Sequence, residues 1–356
     1  MSAPLPAAGL REVPGGDSVE AYKLQQWMQD HIAGFSGAVE VHQFAGGQSN
    51  PTFLVQAADR RYVLRRKPLG KLLPSAHAVD REFRVLTALE DTEVPVPHAF
   101  ALCEDPGVIG SAFYVMEYVE GRIFWDAALP EVPAAGRAAI YMEMVRVQAA
   151  LHALDYAALG LGDYGKSGGY VERQVARWTQ QYRAAETEKI EAVERLIDWL
   201  PRHIPADEQA SIVHGDFRLD NTIFHPSEPR ILAVLDWELS TIGHPLVDFA
   251  YFCMRYHLPD AEFRGLGGLD IKGLSIPSEA QCIAAYCEIR GIKAPSQQDW
   301  TYYMAFCMFR LTGILQGVLA RALQGNASNA TALSAGRRAR PLAEIAWALV
   351  QESFHA

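Results

Sequence analysis

Three oxygen-bearing side chains stand at the ends of short apolar runs in the middle of the chain. Asp216 and Asn221 lie in Ile212-Val213-His214-Gly215-Asp216-Phe217-Arg218-Leu219-Asp220-Asn221, and Asp236 lies in Val234-Leu235-Asp236-Trp237-Glu238. Phosphoryl transfer to a hydroxyl needs these types: a carboxylate to accept or orient the hydroxyl proton, and oxygen ligands for a Mg2+ ion bridging the phosphates. His-Gly-Asp alone would be a weak signal. The order of the two motifs, their separation and their strand context together argue against a solvated loop.

A second constellation lies upstream. Period-2 alternation over 61–67 puts Val63, Arg65 and Lys67 on one face of a strand. On the next helix, Val79, Glu82, Phe83, Leu86 and Leu89 share a face at helical spacing. Glu82 is therefore an acid on an apolar stripe, costly to bury alone, and Arg65 is its natural cationic partner. A glycine-rich break, Gly46-Gly47-Gln48-Ser49-Asn50, separates two strands nearby.

These residues need a scaffold, and the periodicities supply one. Helices are expected over 18–33 and 78–89, and strands over 39–44, 52–57, 61–67, 99–104 and 112–118. Beyond residue 121 the pattern turns helical, over 133–154, 171–200 and 300–324, with short strands at 211–213, 222–224 and 231–235. The expected fold is α+β and bilobal: a small antiparallel β N-lobe with one packed helix over 18–119, and a larger, mostly helical C-lobe over 120–356, with a cleft near residue 120. Residues 1–17, rich in Ala, Pro and Gly, are expected to be disordered.

Composition agrees with an enzyme of this size. The chain has 356 residues, 49% of them hydrophobic and 21% charged, with a net charge of −10; that length favours two lobes over one core. The acidic balance and the lack of a Lys/Arg stripe argue against nucleic acid as partner. No apolar run is read as reaching a membrane span, and the start lacks the pattern of a signal peptide, so no membrane partner and a cytoplasmic location are expected. The five cysteines, without a C-x-x-C pair, read as buried thiols. Two familiar patterns read as accidents: Gly160 to Ser167 fits the phosphate-binding G-x-x-x-x-G-K-S, and Gly165 to Gly169 fits G-x-S-x-G, but a helix precedes them where a strand is required.

The D-x-x-x-x-N spacing from Asp216 to Asn221 equals that of the protein-kinase catalytic loop. With Gly46 to Asn50, Tyr62-Val63-Leu64-Arg65-Arg66-Lys67-Pro68, Val115-Met116-Glu117-Tyr118 and His214 to Arg218, the chain resembles the aminoglycoside phosphotransferase/choline kinase group. More narrowly, it resembles the phosphotransferase-type domain associated with acyl-CoA dehydrogenases, over about residues 30–350. The resemblance implies an ATP-dependent kinase acting on a hydroxyl of a small molecule, with a hydroxylated acyl compound as the reasonable acceptor and an acyl-CoA dehydrogenase as functional associate. It implies Asp216 as catalytic base, and Asn221 and Asp236 as Mg2+ ligands. It further implies Gly46, Gly47, Gln48, Ser49 and Asn50 over the phosphates, Arg65 with Glu82 orienting the nucleotide, and Glu117, Tyr118 and Val119 at the adenine. Asp248 matches a family acid that braces the catalytic loop. Arg65 departs from the Lys of many kinases, which keeps open an alternative, a nucleotide-binding pseudokinase or accessory module for a lipid-oxidation partner.

Two further readings rest on the residues. His214 is expected to hydrogen-bond the catalytic loop rather than bind zinc, and Arg310 to form a buried ion pair or a cap. From residue 250 onward there are eight acids and ten bases, a balance of +2 that leaves −12 for the rest. That distribution points to a neutral or anionic acceptor rather than a polycation.

Overall fold

Alternating apolar residues in the first third of the chain build an antiparallel sheet of strands β1 (Leu10–Arg11), β2 (Val39–Phe44), β3 (Thr52–Ala57), β4 (Arg60–Arg66), β5 (Ala99–Cys103) and β6 (Phe113–Glu117), ordered β1-β2-β3-β4-β6-β5. The computed structural model describes residues 10–11, 19–44, 50–58, 60–69, 78–207, 209–324 and 332–354. Leu10 and Arg11 pair with Phe44 and Gln43, so this part of the segment expected to be disordered is a strand; the rest of 1–17 lies outside the described residues.

Register decides what each face of the sheet carries. Phe53 opposes Leu64, which opposes Val115, and Val55 opposes Tyr62. These side chains share one face and pack with Leu24, Trp27, Met28 and Ile32 of helix α1 (Ala21–His31) into a core. On the other face, Thr52 opposes Arg65, which opposes Tyr114. Helix α2 (Val79–Leu89) packs against β5 and β6 and buries Val79, Glu82, Val85, Leu86 and Leu89. A short helix α3 (Pro106–Ile109) precedes β6.

By compactness the chain divides into two units. The first runs to Ile123 and takes in Leu159–Leu161 and Asp220–Leu239, whereas composition alone suggested a break at 119–121. Its later part is a hairpin of β7 (Thr222–Phe224) and β8 (Ile231–Val234), with Thr222 opposite Val234.

The second unit is mainly helical: α4 (Ala134–Ala153), α5 (Tyr170–Ala185), α6 (Glu191–Trp199), α7 (Pro245–Cys253), α8 (Asp260–Phe263), α9 (Glu279–Arg290), α10 (Gln297–Leu323), α11 (Ala332–Gly336) and α12 (Ala339–Phe354). Two three-residue strands, β9 (Ser211–Val213) and β10 (Thr241–Gly243), pair antiparallel beside them. The single helix expected over 171–200 is two. Between them Thr187 accepts from Gln316 and the Glu188 carbonyl from Tyr182, and the bend lets α5 pack on α10 while α6 packs on α12. A single straight helix could not serve both neighbours.

Helix α10 corrects another expectation. Its 27 residues are long and apolar enough to cross a membrane, but 67% of the most apolar window is buried inside the unit, as in a core helix. Its neighbours α5, α7, α11 and α12 cover it.

The G-x-x-x-x-G-K-S segment follows a helix, α4, that ends at Ala153. Gly165 has a packing reason instead: a Cβ there would lie 2.5 Å from Thr241 Oγ1 and 2.6 Å from the Ile242 nitrogen. Arg173 donates to the carbonyls of Lys166 and Gly168, tying the loop to α5.

Candidate active site

In the first unit the register of β4 and β6 aims Arg65 and Tyr114 at Glu82 on α2. Arg65 Nε lies 2.8 Å from Glu82 Oε2, and Glu82 is only 1% exposed. Tyr114 donates to Glu82 Oε2 at 3.1 Å and Asn50 Nδ2 to Oε1 at 2.7 Å. The far end of the guanidinium reaches Asp236, to which it donates, and lies 3.7 Å from Glu238 Oε2. Burial alone would lower the Arg65 guanidinium, but Glu82 and then Asp236 overcome it and hold the charge. Burial raises the Glu82 carboxyl, with Arg65 opposing the rise.

Asp236 follows β8 with φ 64°, a left-handed conformation that L-residues rarely hold outside turns and functional sites. It turns the chain so that Trp237–Leu239 form one 3-10 turn packed on α2. Asn221 closes a 3-10 turn before β7, and its carbonyl accepts from Leu235 at 2.8 Å, which ties it to the strand end bearing Asp236.

The donor chemistry around Arg65 fits a magnesium ion. Among the described residues there is no cluster of three or more His, Cys, Asp or Glu that would cage a metal. Mg2+ does not need one, since it binds one or two carboxylates and completes its octahedron with water and phosphate oxygens. Three carboxylates, Glu82, Asp236 and Glu238, face one guanidinium, an excess of negative charge that suits a divalent cation.

The second unit holds a separate group of candidate residues around Asp216. Asp216 follows β9, where Gly215 adopts φ 82° and lets the chain turn sharply. Asp216 Oδ1 accepts from the Tyr251 hydroxyl at 2.7 Å, and Arg218 Nε lies 3.1 Å from the same oxygen. The Asp216 N–H donates to His214 Nδ1 at 3.1 Å, so His214 supports this loop as expected. Beneath the turn, Asp248 accepts from the N–H groups of His214 at 3.0 Å and Gly215 at 2.7 Å. Gln148 adds a bond at 3.2 Å, and His152 Nε2 lies 3.1 Å from Asp248 Oδ2.

Burial alone would raise Asp248, but the bond from His152 and the other donors hold it down at about 2. Burial lowers His152, so its ring is neutral, donating through Nε2 to Asp248 and accepting at Nδ1 from Tyr286 at 2.7 Å. Burial and the Asp216 charge push the Tyr251 hydroxyl far up, which keeps it a donor.

The structure brings together Arg65, Glu82 and Asp236, and it spends the Asn50 side chain on Glu82. Gly46, Gly47, Gln48 and Ser49 lie outside the described residues. The Glu117 N–H is used by the His98 carbonyl at 2.8 Å, and Arg61 stacks 4.2 Å over the Tyr118 ring. Among the described residues the Val119 N–H has no protein acceptor and stays open to a ligand. Among the described residues Arg310 has no ion pair; it donates to the Gly215 carbonyl at 2.9 Å. Sequence reasoning missed Glu238, whose proximity to Asp236 in the chain could have suggested it, and Tyr251, which hides in an apolar run.

The profile of the phosphotransferase enzyme family matches residues 40–269. The chain is 50% identical over 333 residues to acyl-CoA dehydrogenase family member 10 of Mus musculus, covering 93% of this chain and 31% of that protein. It thus spans about a third of that relative's length. A solved structure from Ralstonia eutropha JMP134, provisionally named an aminoglycoside phosphotransferase, is 51% identical with a TM-score of 0.87, covering 94% of this chain and 99% of that one. A thermostable mutant of aminoglycoside phosphotransferase APH(4)-Ia, solved with AMP-PNP and hygromycin B, matches at 15% identity and a TM-score of 0.61, covering 94% and 100%. That last likeness shows a shared kinase-like α+β fold.

Proposed function

The chain belongs to the phosphotransferase enzyme family, and on that premise we propose that it is an ATP-dependent kinase, requiring Mg2+, that phosphorylates a hydroxyl of a small molecule. The observation that carries this reading is the buried Arg65–Glu82 pair, which fixes a guanidinium whose far end meets Asp236. In this reading Arg65 neutralises nucleotide phosphates, the Val119 N–H receives the adenine, and Asp236 and Asn221 hold the ion, which supplies charge neutralisation on the phosphates. Asp216 accepts the proton as the acceptor oxygen bonds to the γ-phosphorus and the bond to the β-phosphate oxygen breaks, leaving ADP. Tyr251 and Arg218 keep the Asp216 carboxylate oriented meanwhile.

For the acceptor we favour a hydroxylated acyl compound. The kinship with a protein named as an acyl-CoA dehydrogenase family member supports it, as does the positive balance of the chain after residue 250. A cytoplasmic location is supported by five free cysteines, all buried. One observation favours the alternative of a nucleotide-binding pseudokinase: Arg65, standing where many kinases have Lys, already occupies Asp236. A screen with γ-labelled ATP against hydroxy acids, hydroxyacyl-CoAs, choline, sugars and aminoglycosides separates the two. Labelled product from a hydroxylated acyl compound supports the kinase, and nucleotide binding without transfer to any acceptor supports the alternative.

A further inference from the structure

Arg310 is 7% exposed and carries a full charge, yet among the described residues no carboxylate lies within ion-pair distance of it. Its Nε has no hydrogen-bond partner, and one terminal nitrogen donates at 2.9 Å to the carbonyl of Gly215. The guanidinium carbon sits 5.6 Å from the centroid of Trp178 and 5.5 Å from that of Tyr251. A buried cation with no carboxylate in contact is costly, and a carbonyl bond alone would be served as well by a neutral amide. What distinguishes the site is what the partners do next. The Gly215 carbonyl belongs to the peptide that leads into Asp216, and the Tyr251 hydroxyl is bonded to the Asp216 carboxylate.

We propose that Arg310 and Tyr251 act together as positioning residues for Asp216, Arg310 fixing the peptide before it and the ring beside it, and Tyr251 fixing its carboxylate. The peptide between Gly215 and Asp216 is then held on both edges, its N–H by His214 and its carbonyl by Arg310, while Asp248 holds the two N–H groups before it. His214 alone would leave the carbonyl edge without a fixed partner. The face of the Tyr251 ring attracts the guanidinium, which sets the ring's tilt and so the direction in which its hydroxyl points. Helices α5, α7 and α10, remote in sequence, meet through Trp178, Tyr251 and Arg310 beside the loop that carries Asp216.

This inference rests on Asp216 acting as the base, and its test keeps the two apart. Crystal structures and ATP turnover are compared for the wild type, Asp216→Asn, Tyr251→Phe, Arg310→Gln and Arg310→Lys. Tyr251→Phe, which removes one oxygen and keeps the packing, is expected to release the Asp216 carboxylate into another rotamer. It should lower kcat about tenfold with KM for ATP unchanged. Arg310→Gln should do the same, with partial recovery in Arg310→Lys, which no general loss of folding would produce. An Asp216 carboxylate that stays in place in Tyr251→Phe and Arg310→Gln, or a kcat that does not fall in a turning-over enzyme, overturns the proposal. If Asp216→Asn turns over like the wild type, or the wild type does not turn over, the kinase reading fails, and the position of the carboxylate alone decides this one.

Discussion

Two arginines show two ways of keeping a guanidinium largely out of water. Arg65, in the first unit, faces Glu82, Asp236 and Glu238; Arg310, in the second, faces a carbonyl and two aromatic rings. Surplus carboxylates make the surroundings of Arg65 suited to a divalent cation. At Arg310 no carboxylate stands in ion-pair contact among the described residues, and its hydrogen bond runs inward to the loop that carries Asp216. In the proposed reading the first arrangement receives a ligand and the second holds a side chain still.

Removing the buried counter-charge of Arg65 brings it closer to the situation of Arg310 and is the strongest test of the contrast. Glu82→Ala leaves the guanidinium only Asp236 and Glu238 and takes one acceptor from Tyr114 and from Asn50, so chemical denaturation should show a loss of about 3 kcal/mol. A loss below about 1 kcal/mol would mean that the carboxylates do not hold Arg65, and the comparison would collapse.

The next effect lies beneath Asp216. Asp248 is held at about 2 against an ordinary 3.8, so the folded chain favours its charged form. Its contribution is complete above about pH 4 and is lost as pH falls toward 2, about 2 kcal/mol in all. His152 adds to this from higher pH: burial lowers it, so the unfolded chain takes up a proton that the folded one refuses, and stability declines as pH falls below about 6.5. Denaturation between pH 7 and pH 3 should show both losses. In Asp248→Asn the lower one should vanish, and its persistence would show that another group causes it.

The smallest effect sets the scale outside both groups. Ser278 caps α9 through a capping box with Gln281. Ser278→Ala should cost about 1 kcal/mol and leave catalysis unchanged, which thermal unfolding and turnover would check.

Local pattern explains what the sequence could reveal. Arg65 and Glu82 were legible because period-2 and helical spacing put an acid and a cation on facing stripes, and Asp216, Asn221 and Asp236 because short apolar strands flank them. Strand β10 was not, since three residues leave no alternation to read, and its partner β9 lies far back in the chain. Tyr251 sits within Phe249–Cys253 and Arg310 within Phe306–Leu315, runs whose composition says only that they are buried. Their contacts to Asp216 and Gly215 span 35 and 95 residues, and no spacing rule reaches that far.

The central claim is that Asp216 serves as the base in phosphoryl transfer, and one measurement tests it most directly. Transfer of label from γ-labelled ATP to a hydroxylated acceptor is followed for the wild type and for Asp216→Asn, with nucleotide binding measured on both. The account predicts transfer by the wild type and a fall of about a thousandfold in the variant, with nucleotide affinity retained. Equal transfer by the two proteins would contradict it.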